Sequence, residues 1–160
     1  MEADDVVKLL KEAKVEEALN AADKVKDKKE MSEKLVEFAG TLNYLKGLPG
    51  ITEVLLKKAI ILDPKNPYAH YNIGNLFSEP ELLERDGNNM KKAELAYKNA
   101  LKHKSDFHQA RYNLALLLYF QGREKEARQE YRKILNAIGD DPRYRDLGMM
   151  FLDDERQKRR

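Results

Sequence analysis

Apolar residues recur along this chain at helical rather than strand spacing. Between His108 and Leu135, Ala110, Leu114, Leu117 and Leu118 form one stripe, and Ala127, Tyr131 and Ile134 form another beyond Gln121-Gly122-Arg123. This pattern predicts two amphipathic helices folded back on each other across a turn. The same reading applies from the start of the chain. Asp4 or Asp5 can cap a short helix carrying Val6, Leu9 and Leu10, and a second follows with Val15, Ala18, Leu19, Ala22 and Val25 on one face. The polar residues 26–30 close it, and Ser32 is placed as an N-cap for a third helix with Leu35, Phe38, Ala39, Leu42 and Leu45.

Gly47-Leu48-Pro49-Gly50 predicts a turn before a fourth helix, Ile51 to Leu62. Asn66-Pro67 opens a fifth that runs to about Phe77, since proline suits a first helical turn. Residues 78–89 fit no simple hairpin; they predict one extra helical turn, Glu81 to Arg85, then a left-handed turn at Gly87 or Asn88. Further helices are expected over Met90 to Lys104, over the pair at His108–Leu135, and from Asp141-Pro142 into the basic tail. No stretch alternates with period two for long enough to make a strand. Nine helices and no sheet is the expectation.

Nine helices joined by short turns invite a search for a fixed period. Gly40 to Gly74, Ala18 to Thr52, Ala93 to Ala127 and Tyr97 to Tyr131 are each 34 residues apart. Across residues 78–89 the spacing becomes 41, for Tyr71 to Tyr112, Asn72 to Asn113 and Gly74 to Ala115. One seven-residue insertion accounts for every shifted pair. The chain is built from repeats.

Composition narrows the function classes. A chain of 160 residues, 42% hydrophobic and 36% charged, can bury a core and is too apolar for disorder. A net charge of +2 provides no field to steer the molecule to nucleic acid. There is no cysteine, so disulfides, thiolate metal sites and cysteine nucleophiles are excluded. The longest apolar run, Leu114 to Phe120, is seven residues, too short to span a membrane. The acidic start at Met1–Asp5 has no apolar run behind it, and a cytoplasmic protein is expected.

His70, His103 and His108 are scattered and lack helical metal-pair spacing; there is no phosphate-cradling glycine loop, nucleophile elbow or HExxH motif. Asp86-Gly87-Asn88-Asn89 lacks the spaced carboxylates of a calcium loop. No enzyme, cofactor or metal site is expected.

A 34-residue helix–turn–helix unit with a small residue midway along its first helix, Ala early in the second and an aromatic four residues later resembles the tetratricopeptide repeat. The matching residues are Tyr71, Asn72, Gly74, Ala93, Tyr97 and Ala100 in one unit, and Tyr112, Asn113, Ala115, Gly122, Ala127 and Tyr131 in the next. Residues 33–66 match through Gly40, Gly47, Ala59 and Asp63-Pro64 but depart at Asn43 and Thr52; residues 1–32 match only through Ala18 and Ala22. The resemblance implies an all-α, right-handed superhelix of about four hairpins (1–32 degenerate, 33–66, 67–107 with the insertion, 108–141) and a capping helix over 142–157. In such a fold Gly40, Gly74 and Ala115 are expected where paired helices approach closely, and Tyr97 and Tyr131 fill the gap toward the next unit. Tyr144, Leu147 and Phe151 would face inward from the cap.

The resemblance further implies a concave surface lined by the first helix of each pair. Tyr44, Tyr68, Tyr71, Asn75, Gln109, Tyr112, Leu116 and Tyr119 are the residues expected there. Tyrosine suits such a surface because it offers broad contact area and a polar tip at low entropic cost. The expected partner is a peptide or helix of another protein. One co-chaperone subgroup clamps a terminal carboxylate with lysine, asparagine and arginine; the matching positions Glu37, Thr41, Asn72, Gln109 and Asn113 carry no cation. A register one hairpin on, at Tyr71, Asn75, Asn113, Arg143 and Leu147, keeps two asparagines and one arginine but lacks the lysine and the second arginine. Two other readings stay open. A homo-oligomer could form through the last helix or a patch at Met149-Met150-Phe151, and the basic tail from Arg156 to Arg160 could touch RNA.

Overall fold

A computed structural model describes residues 1–160, which form ten α-helices, one short 3-10 turn and no strand. The chain divides into two compact units, residues 1–104 and 105–160. In the first unit α1 (Ala3–Lys11) packs on α2 (Val15–Ala22), α3 (Lys28–Lys46) on α4 (Pro49–Leu62), and α5 (Pro67–Phe77) on α7 (Asn88–His103). The short helix α6 (Pro80–Arg85) lies between the last two. In the second unit α8 (His108–Phe120) pairs with α9 (Glu124–Ile138), and a 3-10 turn at Pro142–Tyr144 leads into α10 (Arg145–Lys158).

The turn at the centre of the second unit follows from one residue. Gly122 has φ +75°, a conformation open to glycine without steric cost. It lets the Gly122 amide reach the Tyr119 carbonyl at 2.9 Å and the Arg123 amide reach that of Leu118 at 3.0 Å. These bonds satisfy carbonyls that a helix end leaves open. The returning helix α9 buries Ala127, Tyr131 and Ile134 against the Ala110, Leu114, Ala115, Leu117 and Leu118 stripe of α8.

Six residues of the inserted stretch, Pro80–Arg85, form α6 where the sequence predicts a helical turn over Glu81 to Arg85, but the left-handed turn after it does not form. Gly87 has φ −58° and Asn88 is not among the residues of positive φ. Side chains close the segment instead. The Asn88 amide donates to Asp86 Oδ1 at 2.8 Å, and Asn89, 6% exposed, donates from Nδ2 to the Leu82 carbonyl at 2.6 Å. A carboxylate and a buried carboxamide thus do the work assigned to a backbone inversion.

Ser32 is not an N-cap. The cap of α3 is Asp27, which accepts from the Glu30 amide at 2.9 Å, so the polar run at 26–30 contains the start of a helix rather than the end of one. Ser32 is fully buried and donates to the Ala59 carbonyl on α4 at 2.8 Å. At the first helix, Asp5 lies within α1 and accepts from the Glu2 amide at 3.0 Å, completing a capping box.

Only one of the two repeat glycines marks a close approach. A Cβ on Gly74 would stand 2.5 Å from Cε1 of Tyr97, so the ring lies directly on the backbone of α5. Gly40 is exposed, and a Cβ there would meet nothing nearer than Asn72 Nδ2 at 3.9 Å. The expectation of close packing at Gly40 is therefore wrong; the glycine opens a surface instead. Tyr97 also differs from expectation. It fills the interior of its own hairpin, donating from its hydroxyl to Asn75 Oδ1 at 2.9 Å. Tyr131 does reach outward, packing on Gly148 of α10, where a Cβ would lie 2.6 Å from its hydroxyl oxygen.

The 3-10 turn buries Tyr144 and α10 buries Leu147 and Phe151, the three residues read as inward-facing. Asp141 caps the 3-10 turn by accepting from the Arg143 amide at 2.9 Å, and pairs with the Arg143 guanidinium. The side-chain hydrogen bond from Arg143, with the backbone bond adding to it, holds the Asp141 carboxyl down from 3.8 to about 2. A lowered carboxylate pKa stabilises the folded state above the ordinary carboxylate range, and that contribution disappears as pH falls through about 2. Asp141→Asn keeps a capping oxygen but does not titrate. Its melting temperature, followed by tyrosine near-UV dichroism from about pH 5 to about pH 2, should start below wild type and converge on it at the acid end. A constant offset would show that the carboxylate charge contributes nothing.

Candidate functional site

In the first unit, the exposed faces of α3 and α5 meet over Gly40. They bound a cleft of about 190 Å³ lined by Asn43, Tyr44, Thr52, Asn72 and Asn75 among others. The absent side chain of Gly40 leaves room above which Asn72 Nδ2 lies. Three carboxamides therefore face one small space. Asn75 is fixed by the Tyr97 hydroxyl, and Asn43 donates from Nδ2 to Glu79 Oε1 at 2.7 Å. Asn72 is half-buried and has no hydrogen-bond partner in the protein. A half-buried carboxamide in that state can give and accept one hydrogen bond each, the pattern a peptide unit presents.

Of the tyrosines expected on this surface, Tyr44 is 89% exposed at the edge of the cleft. Tyr68 is about half exposed on the first turn of α5, which Asn66 caps by accepting from the Tyr68 and Ala69 amides at 3.0 and 3.3 Å. Tyr71 is half-buried with its ring 6.2 Å from that of Tyr97. Neither Tyr68 nor Tyr71 lines the cleft.

In the second unit, Gln109 donates to Asn113 Oδ1 at 3.2 Å along α8, and Leu116 is half-buried on the same helix. Tyr112 and Tyr119 are engaged with the cap. The ring of Tyr112 packs 5.2 Å from Tyr144, and burial, with Asp146 nearby, pushes its phenol pKa up. Tyr119 donates to Asp154 Oδ2 at 2.8 Å, a bond that holds its proton and raises its pKa, while its ring meets Phe151 edge-on at 5.7 Å. Sequence spacing places these rings on the second face of α8. It does not show that α10 comes to meet them.

These are paired helices, small residues at helix crossings and aromatic fillers, repeated at a fixed interval. Residues 85–148 match the tetratricopeptide repeat. That match spans α7, α8, α9 and the start of α10, so the family resemblance is shown over the part of the chain where the 34-residue spacing is most regular. Tetratricopeptide repeats generally mediate protein–protein interaction and are generally non-catalytic. Among curated proteins, none matches this chain. No helix is long and apolar enough to cross a membrane.

Sequence reasoning missed two features of the first unit. Asn43 reads as a departure from the repeat, where an aromatic is preferred, yet it supplies one of the three carboxamides. His70 and His103 read as scattered, yet their rings stack with centroids 5.6 Å apart. His70 Nε2 lies 2.9 Å from the Pro64 carbonyl, and burial, then the neighbouring His70, lowers the pKa of His103. No group of His, Asp or Glu is arranged to hold a metal ion. The 34-residue period puts His70 and His103 at unrelated repeat positions, so no spacing signal announces their contact.

The patch at Met149-Met150-Phe151 is only partly exposed. Phe151 is 4% exposed under the Arg128 guanidinium, which stands 4.5 Å above its ring, whereas Met149 and Leu152 are open. Beside them runs a cleft of about 500 Å³ between α9 and α10, rimmed by Arg128, Arg132 and Arg145. In the basic tail, Arg156 pairs with Asp153 and Lys158 with Glu124.

Proposed function

We propose that the protein is a non-enzymatic interaction module that holds an extended peptide of another protein, with the α3–α5 cleft as an anchoring site. The observation that carries this reading is Asn72: a half-buried carboxamide, with no partner of its own, beside a glycine that leaves the approach open. Tyr44 adds a nearly fully exposed ring at the same edge. An exposed tyrosine next to an open polar pocket provides contact area and orientation together. Gln109 and Leu116 are proposed as separate contacts within the second unit. Tyr112 and Tyr119 contribute there chiefly by fixing α10, with Tyr68 and Tyr71 as further contacts on α5.

The test is quantitative affinity capture from the source lysate with wild type and Tyr44→Ala/Asn72→Ala. The double variant should retain its melting profile, because neither side chain holds the fold, and should lose its captured proteins. Truncating a central anchor costs about 1–2 kcal/mol or more, which lowers affinity by roughly tenfold or more. Identical capture by the two proteins would refute the assignment.

A further inference from the structure

The opposite face of α3 carries a second opening. Helix α3 is 19 residues long, whereas α1 and α2 have nine and eight, so the short hairpin leaves this face of the last turns of α3 uncovered. The result is a cleft of about 310 Å³ between the α1–α2 turn, the end of α3 and the start of α4. Its apolar wall includes Phe38, Leu42, Leu45 and Leu48. Leu45 is 69% exposed and Leu48 39% exposed. Leucines held in water around a concave, apolar wall mark an interaction site rather than a folding requirement.

Charge identifies the occupant. Lys11 and Lys46 line the cleft, no carboxylate does, and neither lysine has an ion-pair partner. Nearby lysines are paired: Lys14 with Glu12 and Lys34 with Asp4, both at 2.8 Å. The cleft is therefore bordered by two cations and no anion. A second copy of the chain fits poorly. The same face of a second copy would bring lysine against lysine. The walls are helices and turns and present no strand edge for an extended chain to pair with. A helix with an apolar stripe is the element that fills a groove between helices.

We propose that this cleft docks an acidic amphipathic helix from a partner protein, its apolar stripe against Phe38, Leu42, Leu45 and Leu48 and its flanking carboxylates on Lys11 and Lys46. The site is independent of the α3–α5 cleft.

The experiment uses the full chain and a panel of fluorescent helical peptides with leucines at i, i+3 or i+4, and i+7. Each peptide is made with glutamate, glutamine or lysine flanks and titrated by anisotropy. Glutamate-flanked peptides should bind at least tenfold more tightly than their lysine twins. Leu45→Asp should weaken that binding at least tenfold with unchanged helical dichroism, since the side chain is largely in water. Lys11→Glu/Lys46→Glu should reverse the charge preference, a result that loss of folding could not produce. Absence of any acidic preference across the panel overturns the proposal. So does binding that responds to Asn72→Ala and not to Leu45→Asp, which assigns the peptide to the other cleft. Concentration-dependent dimerisation abolished by Leu45→Asp would put a second copy here and overturn it. Cosedimentation with phosphatidylserine vesicles abolished by the same change would put a membrane surface here, with the same consequence.

Discussion

Gly74→Ala is expected to destabilise the protein, and the same substitution is expected to stabilise it once Tyr97 has been cut back. Alanine is the better helix former by about 1 kcal/mol, so in an open helix the change would help. Here the added methyl meets three atoms of the Tyr97 ring, at 2.5, 2.6 and 2.9 Å. The ring cannot retreat. It is 2% exposed, its hydroxyl donates to Asn75, and the same oxygen lies 3.1 Å from the Ser78 hydroxyl, itself bonded to the Gly74 carbonyl.

Overpacking with a ring that cannot retreat lies toward the upper end of about 1–3 kcal/mol, leaving a net loss of up to about 2 kcal/mol after the helix-propensity gain. Tyr97→Leu alone should cost about 2–4 kcal/mol through the cavity and the lost hydrogen bond. On that background Gly74→Ala should recover up to about 1 kcal/mol. Urea denaturation of the four proteins, followed by circular dichroism, measures the cycle. A loss of the same size on both backgrounds would mean that the ring is not what excludes the methyl.

Asn66→Ala should be the costliest single change at a turn. Asn66 is 4% exposed and works in two directions at once. Its Oδ1 caps α5 by accepting from the Tyr68 and Ala69 amides, and its Nδ2 donates to Ser32 Oγ at 3.0 Å. Ser32 in turn donates to the Ala59 carbonyl, so one side chain joins the starts of α3 and α5 to the end of α4. Losing the cap costs about 1 kcal/mol, and disrupting the buried chain of bonds adds about 1–2 kcal/mol, for a total near 2–3 kcal/mol. Ser32→Ala should cost about 1–2 kcal/mol by leaving the Asn66 Nδ2 proton unpaired. Because the two residues share a bond, the double variant should fall short of the sum by about 0.5 kcal/mol or more. Strict additivity in thermal or urea unfolding would show that the bond is not contributing.

These two sites differ in how readable they were. The close approach at Gly74 can be read from the repeat, whose period shows in like residues, although the sequence aimed Tyr97 at the next unit and not at its own hairpin. The Ser32–Asn66 bond spans 34 residues, yet it links a serine that looks like a cap to a residue that is one. An exposed Ser at a helix start and a buried Ser one turn inside it have the same local sequence. Only the position of α4 distinguishes them.

The sequence alone determined the helices, their pairing, the insertion and the all-α class, because each rests on local spacing: apolar stripes at helical period, breakers between them, and the same pattern 34 residues on. It also determined the inward face of the cap, since Tyr144, Leu147 and Phe151 recur at helical spacing, although Tyr144 falls in the 3-10 turn before α10. The tertiary structure decided what each surface position is for. It turned Gly40 from a packing residue into an opening and left Asn72 without a partner. It stacked His70 on His103, tied Tyr112 and Tyr119 to the cap, and left the end of α3 uncovered beyond a short hairpin. Those outcomes depend on which helix arrives opposite a residue and how far it extends. Periodicity along one chain records which face of a helix is apolar; it does not record what lies across from it.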